Sequence, residues 1–198
     1  GDDMKYVGKN GLKVGDNEVW HEGNLEIGGR NLLLNSDFKK PTTQWVKYLN
    51  TDYGIEVINN GLLVNLKSGG DYRQGFSQNI SPIFPSAVHV ISVTVQIDDI
   101  DILWGGSYRY RVQWGSGNAH DFNECEYLGN SLYRFTLIIT SPATSQTLYI
   151  YRWNDKGYDT SYIVKNIKLE KGTIPTDWTP APEDIQEQID DKADKSQV

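Results

Sequence analysis

From Asn31 to Lys171 the chain alternates short apolar runs with turn signals and never settles into a helical period, and this texture leaves few folds open. Eleven such runs extend from Leu32–Leu34 to Tyr162–Leu169, among them Val88–Ile97, Tyr108–Trp114, Leu132–Ile139 and Leu148–Trp153. They are rich in β-branched and aromatic residues, which suit a pleated surface. Asn59-Asn60-Gly61 and Gly129-Asn130 separate consecutive runs as hairpin turns do, because these residues tolerate positive φ. About ten strands at this spacing with no amphipathic helix predict an all-β domain, an antiparallel jelly-roll β-sandwich.

At 198 residues the chain has room for one domain with short appendages. A hydrophobic content of 38% supports a core, while a mean hydropathy of -0.53 and the lack of any long apolar run predict no membrane insertion. The net charge of -7 argues against nucleic acid as a partner, which calls for a basic footprint. That charge sits at the ends: residues 31–170 carry 12 basic and 13 acidic side chains, and residues 171–198 carry 3 and 7. Cys125 is the lone cysteine, so no disulfide within the chain can brace the fold. The opening Gly1-Asp2-Asp3-Met4 has neither the basic nor the apolar region of a secretory signal.

Composition shifts divide the chain into a leader (1–30), a β-sandwich (31–172) and an exit (173–198). The leader carries seven glycines and reads as extended chain with small strands near Lys5–Val7 and Glu18–Trp20. In the exit, Thr173 to Pro182 is stiffened by three prolines, with Trp178 placed to anchor the preceding strand. From Glu183 the pattern turns helical. Thr179 or Ala181 can cap it, Pro182 suits the first turn, and Glu183, Asp184 and Glu187 complement the positive helix end. Ile185, Ile189 and Ala193 recur on one side, a stripe too thin for an isolated helix of this length. It predicts either the first turns of an oligomeric bundle or coiled coil, or a frayed tail.

Catalysis leaves few marks. His21, His89 and His120 are far apart in sequence, and no His or Cys pair has zinc-ligand spacing. Ser36-Asp37-Phe38-Lys39 matches Ser-x-x-Lys without the companion motifs, in a strand exit. Only paired carboxylates, at Asp98, Asp99 and Asp101 or at Glu124 and Glu126, keep a glycosidase open, and solvated turn acids, or at most a calcium-binding cluster at Asp98 to Asp101, are the preferred reading of them.

Sugar binding needs less: a ring to lie against a pyranose and planar polar groups for its hydroxyls. Strand alternation over Tyr108–Trp114 puts Tyr108, Tyr110, Val112 and Trp114 on one face and Arg109, Arg111 and Gln113 on the other. Val112 marks the first face as core toward its middle, with Trp114 at the rim. In Leu148–Trp153, Leu148 and Ile150 point in, leaving Tyr149, Tyr151 and Trp153 outward, with Arg152 between them. If the two strands are neighbours, outward arginines and outward rings form one platform. Asn118, His120 and Asp121 in the following loop could wall it, and Trp104 lies on a loop nearby. Arg forks also match phosphate, so the expected ligand is an anionic or phosphate-containing polysaccharide.

Asn31-Leu32-Leu33-Leu34-Asn35-Ser36-Asp37-Phe38 opens the β region, and Ile167 to Asp184, through Lys171-Gly172-Thr173-Ile174-Pro175-Thr176-Asp177-Trp178, closes it. In both places the sequence resembles the carbohydrate-binding-module-like jelly-roll domains of baseplate, tail-tip and tail-fibre proteins of phages and prophages of Gram-positive hosts. The signatures bracket about 150 residues. Val14 to Asn24 resembles the short linking repeats of phage tail fibres. The resemblance implies adsorption to a host cell-wall polysaccharide, a homotrimeric fibre, other tail or baseplate proteins as partners, and a place in the virion. Many free carbohydrate-binding modules hold a structural calcium near an Asp pair in the final strand. Lys165 and Asn166 stand in those places here, and an ammonium repels a dication, so no cofactor is expected.

The residues and the resemblance together predict a non-catalytic saccharide-binding module of a phage tail or baseplate protein. The alternatives are a structural spacer whose rings serve packing, with receptor binding elsewhere, and a glycan depolymerase.

Overall fold

The computed structural model describes residues 29–196 apart from 42–43, 50–51, 81–83, 107–108 and 144–146, and the backbone of three strands among the first 28. Those three, β1 (Met4–Tyr6), β2 (Leu12–Val14) and β3 (Asn17–Trp20), pair antiparallel in that order, so the leader holds one strand more than its glycine-broken sequence suggests. Eleven strands follow: β4 (Val46–Lys47), β5 (Gly54–Ile58), β6 (Gly61–Asn65), β7 (Arg73–Asn79), β8 (Val88–Gln96), β9 (Tyr110–Trp114), β10 (Ala119–Asp121), β11 (Glu124–Gly129), β12 (Leu132–Thr140), β13 (Thr147–Trp153) and β14 (Ser161–Lys171). Two helices complete the described chain, the single turn α1 (Asp101–Trp104) and the terminal α2 (Pro182–Ser196).

The eleven strands form two sheets, ordered β10-β9-β13-β7-β4 and β11-β12-β8-β14-β6-β5, with every pairing antiparallel. This is the all-β jelly-roll sandwich that the alternation predicts. One face of each sheet is apolar, and the two meet in a single core: Tyr110, Val112, Leu148, Ile150 and Phe76 from the five-stranded sheet, and Val93, Phe135, Ile167 and Val64 from the six-stranded one. Hairpin turns fall where the Asn-Gly signals lie. At the β11–β12 turn, Asn130 and Ser131 adopt φ of 52° and 60°, the left-handed pair that a tight hairpin requires.

Along β14 the inward phase changes. Tyr162 and Val164 face the core, and so do Ile167 and Leu169, one residue out of step. A bulge between Val164 and Asn166 absorbs the extra residue, Lys165, and lets both halves bury their apolar side chains.

Leu32–Leu34, expected as a strand, is instead part of a turn-rich segment. β6 pairs with only the first part of β14, Ser161–Val164. The same edge of β14 further along is taken by Asn31–Ser36, where Leu32 N–H donates to Leu169 O and Ile167 N–H donates to Ser36 O, both at 2.9 Å. Side chains then replace ladder bonds. Buried Asn31 donates through Nδ2 to Ile167 O, Thr179 O and Ser36 Oγ, each at 2.9 Å, while its Oδ1 accepts from Leu33 N and Leu169 N. The opening and closing segments therefore meet on one buried asparagine. Trp178 anchors the exit as expected, its Nε1 donating to Ser36 Oγ at 3.0 Å.

Candidate functional site

Cross-strand register places one row of side chains on the outer face of the five-stranded sheet. Tyr149 stands between Gln113 and Ser77, Tyr151 between Arg111 and Gly75, and Trp153 beside Arg73. Across the β9–β10 hairpin, Asp121 is opposite Arg111 and Ala119 opposite Gln113. β13 and β9 are thus the neighbours that the platform needs, and the outward arginine and rings share one face.

The rings lie in two groups. Tyr48, just after β4, sits 4.3 Å from Tyr149 and 5.2 Å from Tyr151 between ring centroids. Tyr72, half exposed, lies 5.6 Å from Trp153. Tyr48 is fixed from beneath, since its N–H donates to Gly75 O and its carbonyl accepts the Tyr53 hydroxyl, which also donates to Gly75 O at 2.8 Å. Burial pushes the Tyr53 phenol up to about 12, so it remains a donor at any physiological pH.

The polar groups are paired. Arg73 grips Asp71 with two bonds, Nε to Oδ1 at 3.1 Å and a terminal nitrogen to Oδ2 at 2.9 Å, and its guanidinium lies 5.8 Å from the centre of the Tyr48 ring. This hydrogen bonding holds the Asp71 carboxyl below its usual range and raises Arg73. Arg111 Nε lies 2.8 Å from Asp121 Oδ1. Gln113 Nε2 donates to Gly115 O, and the Tyr151 hydroxyl reaches Gln113 Oε1 at 3.4 Å. Beyond Tyr149 the face continues into a groove of about 430 Å³ lined by Leu34, Gln44, Val46, Ser77, Gln78 and Asn79.

Of the residues predicted from sequence, Arg111, Gln113, Tyr149, Tyr151 and Trp153 come together here. Tyr151 is on the predicted face but only 2% exposed, because Tyr48 and Gln113 close over it. Five others need correction. Trp114 is no rim residue: it shares the inward face of Tyr110 and Val112, is 3% exposed and meets His89 edge-on at 4.9 Å. Arg152 alternates inward as well and is 1% exposed, its Nε donating to Ile102 O and a terminal nitrogen to Trp153 O. His120 pairs with Val112 and so belongs to the opposite side of the sheet from Arg111, exposed because β10 is an edge strand. Trp104 ends α1 and packs 5.7 Å from Phe135 against the core. Arg109 lies 4.2 Å over the Trp104 ring, away from the platform. Asn118 is exposed in the β9–β10 turn at the platform's end. Tyr108 and His21 lie outside the described residues.

Tyr48, Tyr72, Arg73 and Asp71 were not legible as site residues. Asp121, expected to wall the groove from a loop, stands on β10 opposite Arg111. The others come from β7 and the β4 region, whose pairing with β13 spans too much sequence to read locally.

The carboxylates suspected of hydrolytic chemistry are elsewhere. Asp98, Asp99 and Asp101 are exposed around the start of α1, where Asp99 Oδ1 accepts from Asp101 N. Glu124 and Glu126 line a depression of about 320 Å³ with Arg134, Thr136 and Pro175, and Glu126 is bound to Arg134 at 2.5 Å. Among the described residues no three His, Cys, Asp or Glu side chains are grouped to hold a metal ion. No described helix is long and apolar enough to cross a membrane.

No protein-family model matches the sequence, and no curated protein does. Solved structures do. The CBM22-1–CBM22-2 tandem domain of Xyn10C from Paenibacillus barcinonensis aligns with TM-score 0.50 and 16% identity over 76% of this chain and 47% of its own. The arabinose-bound α-L-arabinofuranosidase MgGH51 aligns with TM-score 0.51 and 14% identity over 74% of this chain and 27% of its own. The enzymatically active domain of bacteriophage CBA120 tailspike protein 4 aligns with TM-score 0.46 and 11% identity, over 72% and 21%. At these identities the first two establish the shared jelly-roll fold, and the chain spans less than half of each.

Proposed function

We propose that this chain is a non-catalytic saccharide-binding module, and that the outer face of the five-stranded sheet is its binding surface. One observation carries the reading: on that face Tyr149, Trp153 and Tyr72 offer partly exposed rings, with Gln113 beside Tyr149 and Arg73, paired to Asp71, beside Trp153 in the register. Pyranoses present apolar ring faces and a fringe of hydroxyls, and this surface offers a partner to each. The fold, one that carbohydrate-binding modules use, suits the reading.

The biological setting follows from the sequence resemblance. The opening and closing signatures support a tail or baseplate protein of a phage or prophage of a Gram-positive host, a place in the virion and a role in adsorption to cell-wall polysaccharide. In that setting the partners are the host glycan, further copies of the chain and other tail proteins.

A second reading has its own observation. Tyr48 and Tyr151 are nearly closed off by their neighbours, as packing residues of a structural spacer would be. Titration of the chain with purified wall polysaccharides and a panel of plant and microbial glycans separates the two. Saturable binding that falls at least about tenfold in Trp153→Ala is expected, the scale of one lost ring contact. A folded chain that binds none of them favours the spacer.

A further inference from the structure

We infer that the ring face takes an uncharged polysaccharide with neighbouring hydroxyls and rejects the phosphate-bearing polymer that its arginines suggest from sequence. The inference rests on the saccharide-binding reading and adds the ligand's charge class and the residues that set it.

The two arginines that the register puts on this face have partners supplied by the fold, and so does Lys47 at its β4 edge. Arg73 holds Asp71 through two bonds, at 3.1 and 2.9 Å. Arg111 holds Asp121 at 2.8 Å, with the two side chains 17% and 34% exposed. Lys47 donates to Tyr53 O at 2.9 Å and lies over the Tyr53 ring.

A phosphate approaching either guanidinium would have to displace the carboxylate already paired with it, which in Asp71 also accepts from Arg73 N at 2.9 Å, while that carboxylate repels it at contact range. The sandwich, with 12 basic and 13 acidic side chains over residues 31–170, adds no attractive background for a polyanion. An uncharged diol meets no such opposition. Each hydroxyl both donates and accepts, and each Arg–Asp pair sets donors beside acceptors, since a guanidinium carries five N–H groups and a carboxylate has more lone pairs than one partner uses. Two such pairs flank the ring row, Arg111–Asp121 on the β10 side and Arg73–Asp71 at the Trp153 end. Asp71 and Asp121 are therefore specificity-determining residues: they turn two phosphate forks into two diol clamps.

The test uses the whole chain, with neutral xylans, glucans, mannans and galactans on one arm and poly(glycerol phosphate) teichoic acid on the other. Each titration runs at low salt and again near 1 M, where the Debye length is only about 3 Å. Trp153-dependent binding on the neutral arm, within about twofold between the two salts, is the expected result. Asp121→Asn and Asp71→Asn keep the arginines while removing the competing charge. Each is expected to gain at least roughly tenfold in low-salt affinity for the teichoic acid. Trp153-dependent binding confined to the teichoic acid and weakened by salt would overturn the inference and leave the saccharide reading standing. No binding on either arm removes that reading and the inference with it.

Discussion

Gly75 is where the platform is most sensitive to a single atom. A Cβ built there would lie 2.0 Å from Ile150 O and 2.6 Å from the Tyr151 Cβ, so strand β13 can approach only because β7 has no side chain at that position. Its amide-plane neighbours are also committed, the carbonyl accepting from Tyr48 N and the Tyr53 hydroxyl. Gly75→Ala is expected to destabilise the fold by about 1–3 kcal/mol, the usual range for overpacking, and to displace Tyr151 and Tyr48. Urea unfolding checks the first effect and near-ultraviolet circular dichroism the second. The Asp71–Arg73 pair makes a further prediction. A carboxyl whose pKa is lowered by folding contributes stability that is present above its unfolded value, 3.8, and lost as pH falls through the lower folded value. The Asp71 clamp should therefore hold glycan equally well from neutral pH down to about pH 4 and weaken only below, and Asp71→Asn should lose that part of the acid limb. Calorimetric titration across that range decides it. At this scale the sequence was half readable. Alternation sorted Arg111 and Gln113 from Val112 and Trp114, because a strand exposes its period directly. It could not show that His89, on β8, covers Trp114, nor that Tyr48 covers Tyr151, since each cover comes from a strand far away in sequence.

At the scale of elements, the exit after β14 is part of the fold. Lys168 and Glu170 point to the outer face of the six-stranded sheet, opposite Ser92 and Val90, yet they are 2% and 0% exposed. The exit covers them: Lys168 Nζ donates to Asp177 O at 2.6 Å and Thr176 Oγ1 at 2.9 Å, while the Thr176 hydroxyl donates to Glu170 at 2.8 Å. Burial pushes the Lys168 ammonium below its ordinary pKa, which marks how much of its hydration the strap has replaced. Lys168→Met should cost about 3–5 kcal/mol by leaving Glu170 buried without its cation, whereas Lys168→Met with Glu170→Leu should recover most of it. Equilibrium unfolding of the two variants is the check; equal losses would mean the strap, not the charge pair, carries the energy. The proline-rich composition and Trp178 made an ordered exit readable. The Lys168–Glu170 pair was not, because it falls in an alternating strand where both positions look solvent-facing. The change of phase at Lys165 shows the same limit: a period-2 pattern locates the two halves of β14, and only pairing with β8 reveals the bulge between them.

For the whole molecule, the open question is what α2 packs against. Its first turn is pinned to the start of the sandwich, where Asp184 accepts from Asn35 N at 2.8 Å and Glu187 pairs with Lys40 at 2.7 Å. Beyond that turn it has little hold, since Asp184 is its one buried residue among those described and surface ion pairs contribute little. Ile185 and Ile189 are 45% and 54% exposed, and Ala193 continues the same stripe. A 15-residue helix is marginal in water without a tertiary partner. Copies of the same stripe would supply that partner, and the sequence resemblance points to three. A trimer is therefore expected by sedimentation equilibrium, with Ile185→Glu and Ile189→Glu together giving a monomer that loses α2 helicity and keeps the β signal. Trimerisation should also separate two kinds of affinity. Each ring face keeps its own strength for a soluble oligosaccharide, so monomer and trimer should match in that titration. On immobilised polysaccharide, three faces acting together raise apparent affinity by about 10²–10⁴, and the monomeric variant should lose that factor. A wild-type chain that sediments as a monomer at high concentration would show that the stripe does not assemble these copies, and adsorption would then rest on single-site affinity alone.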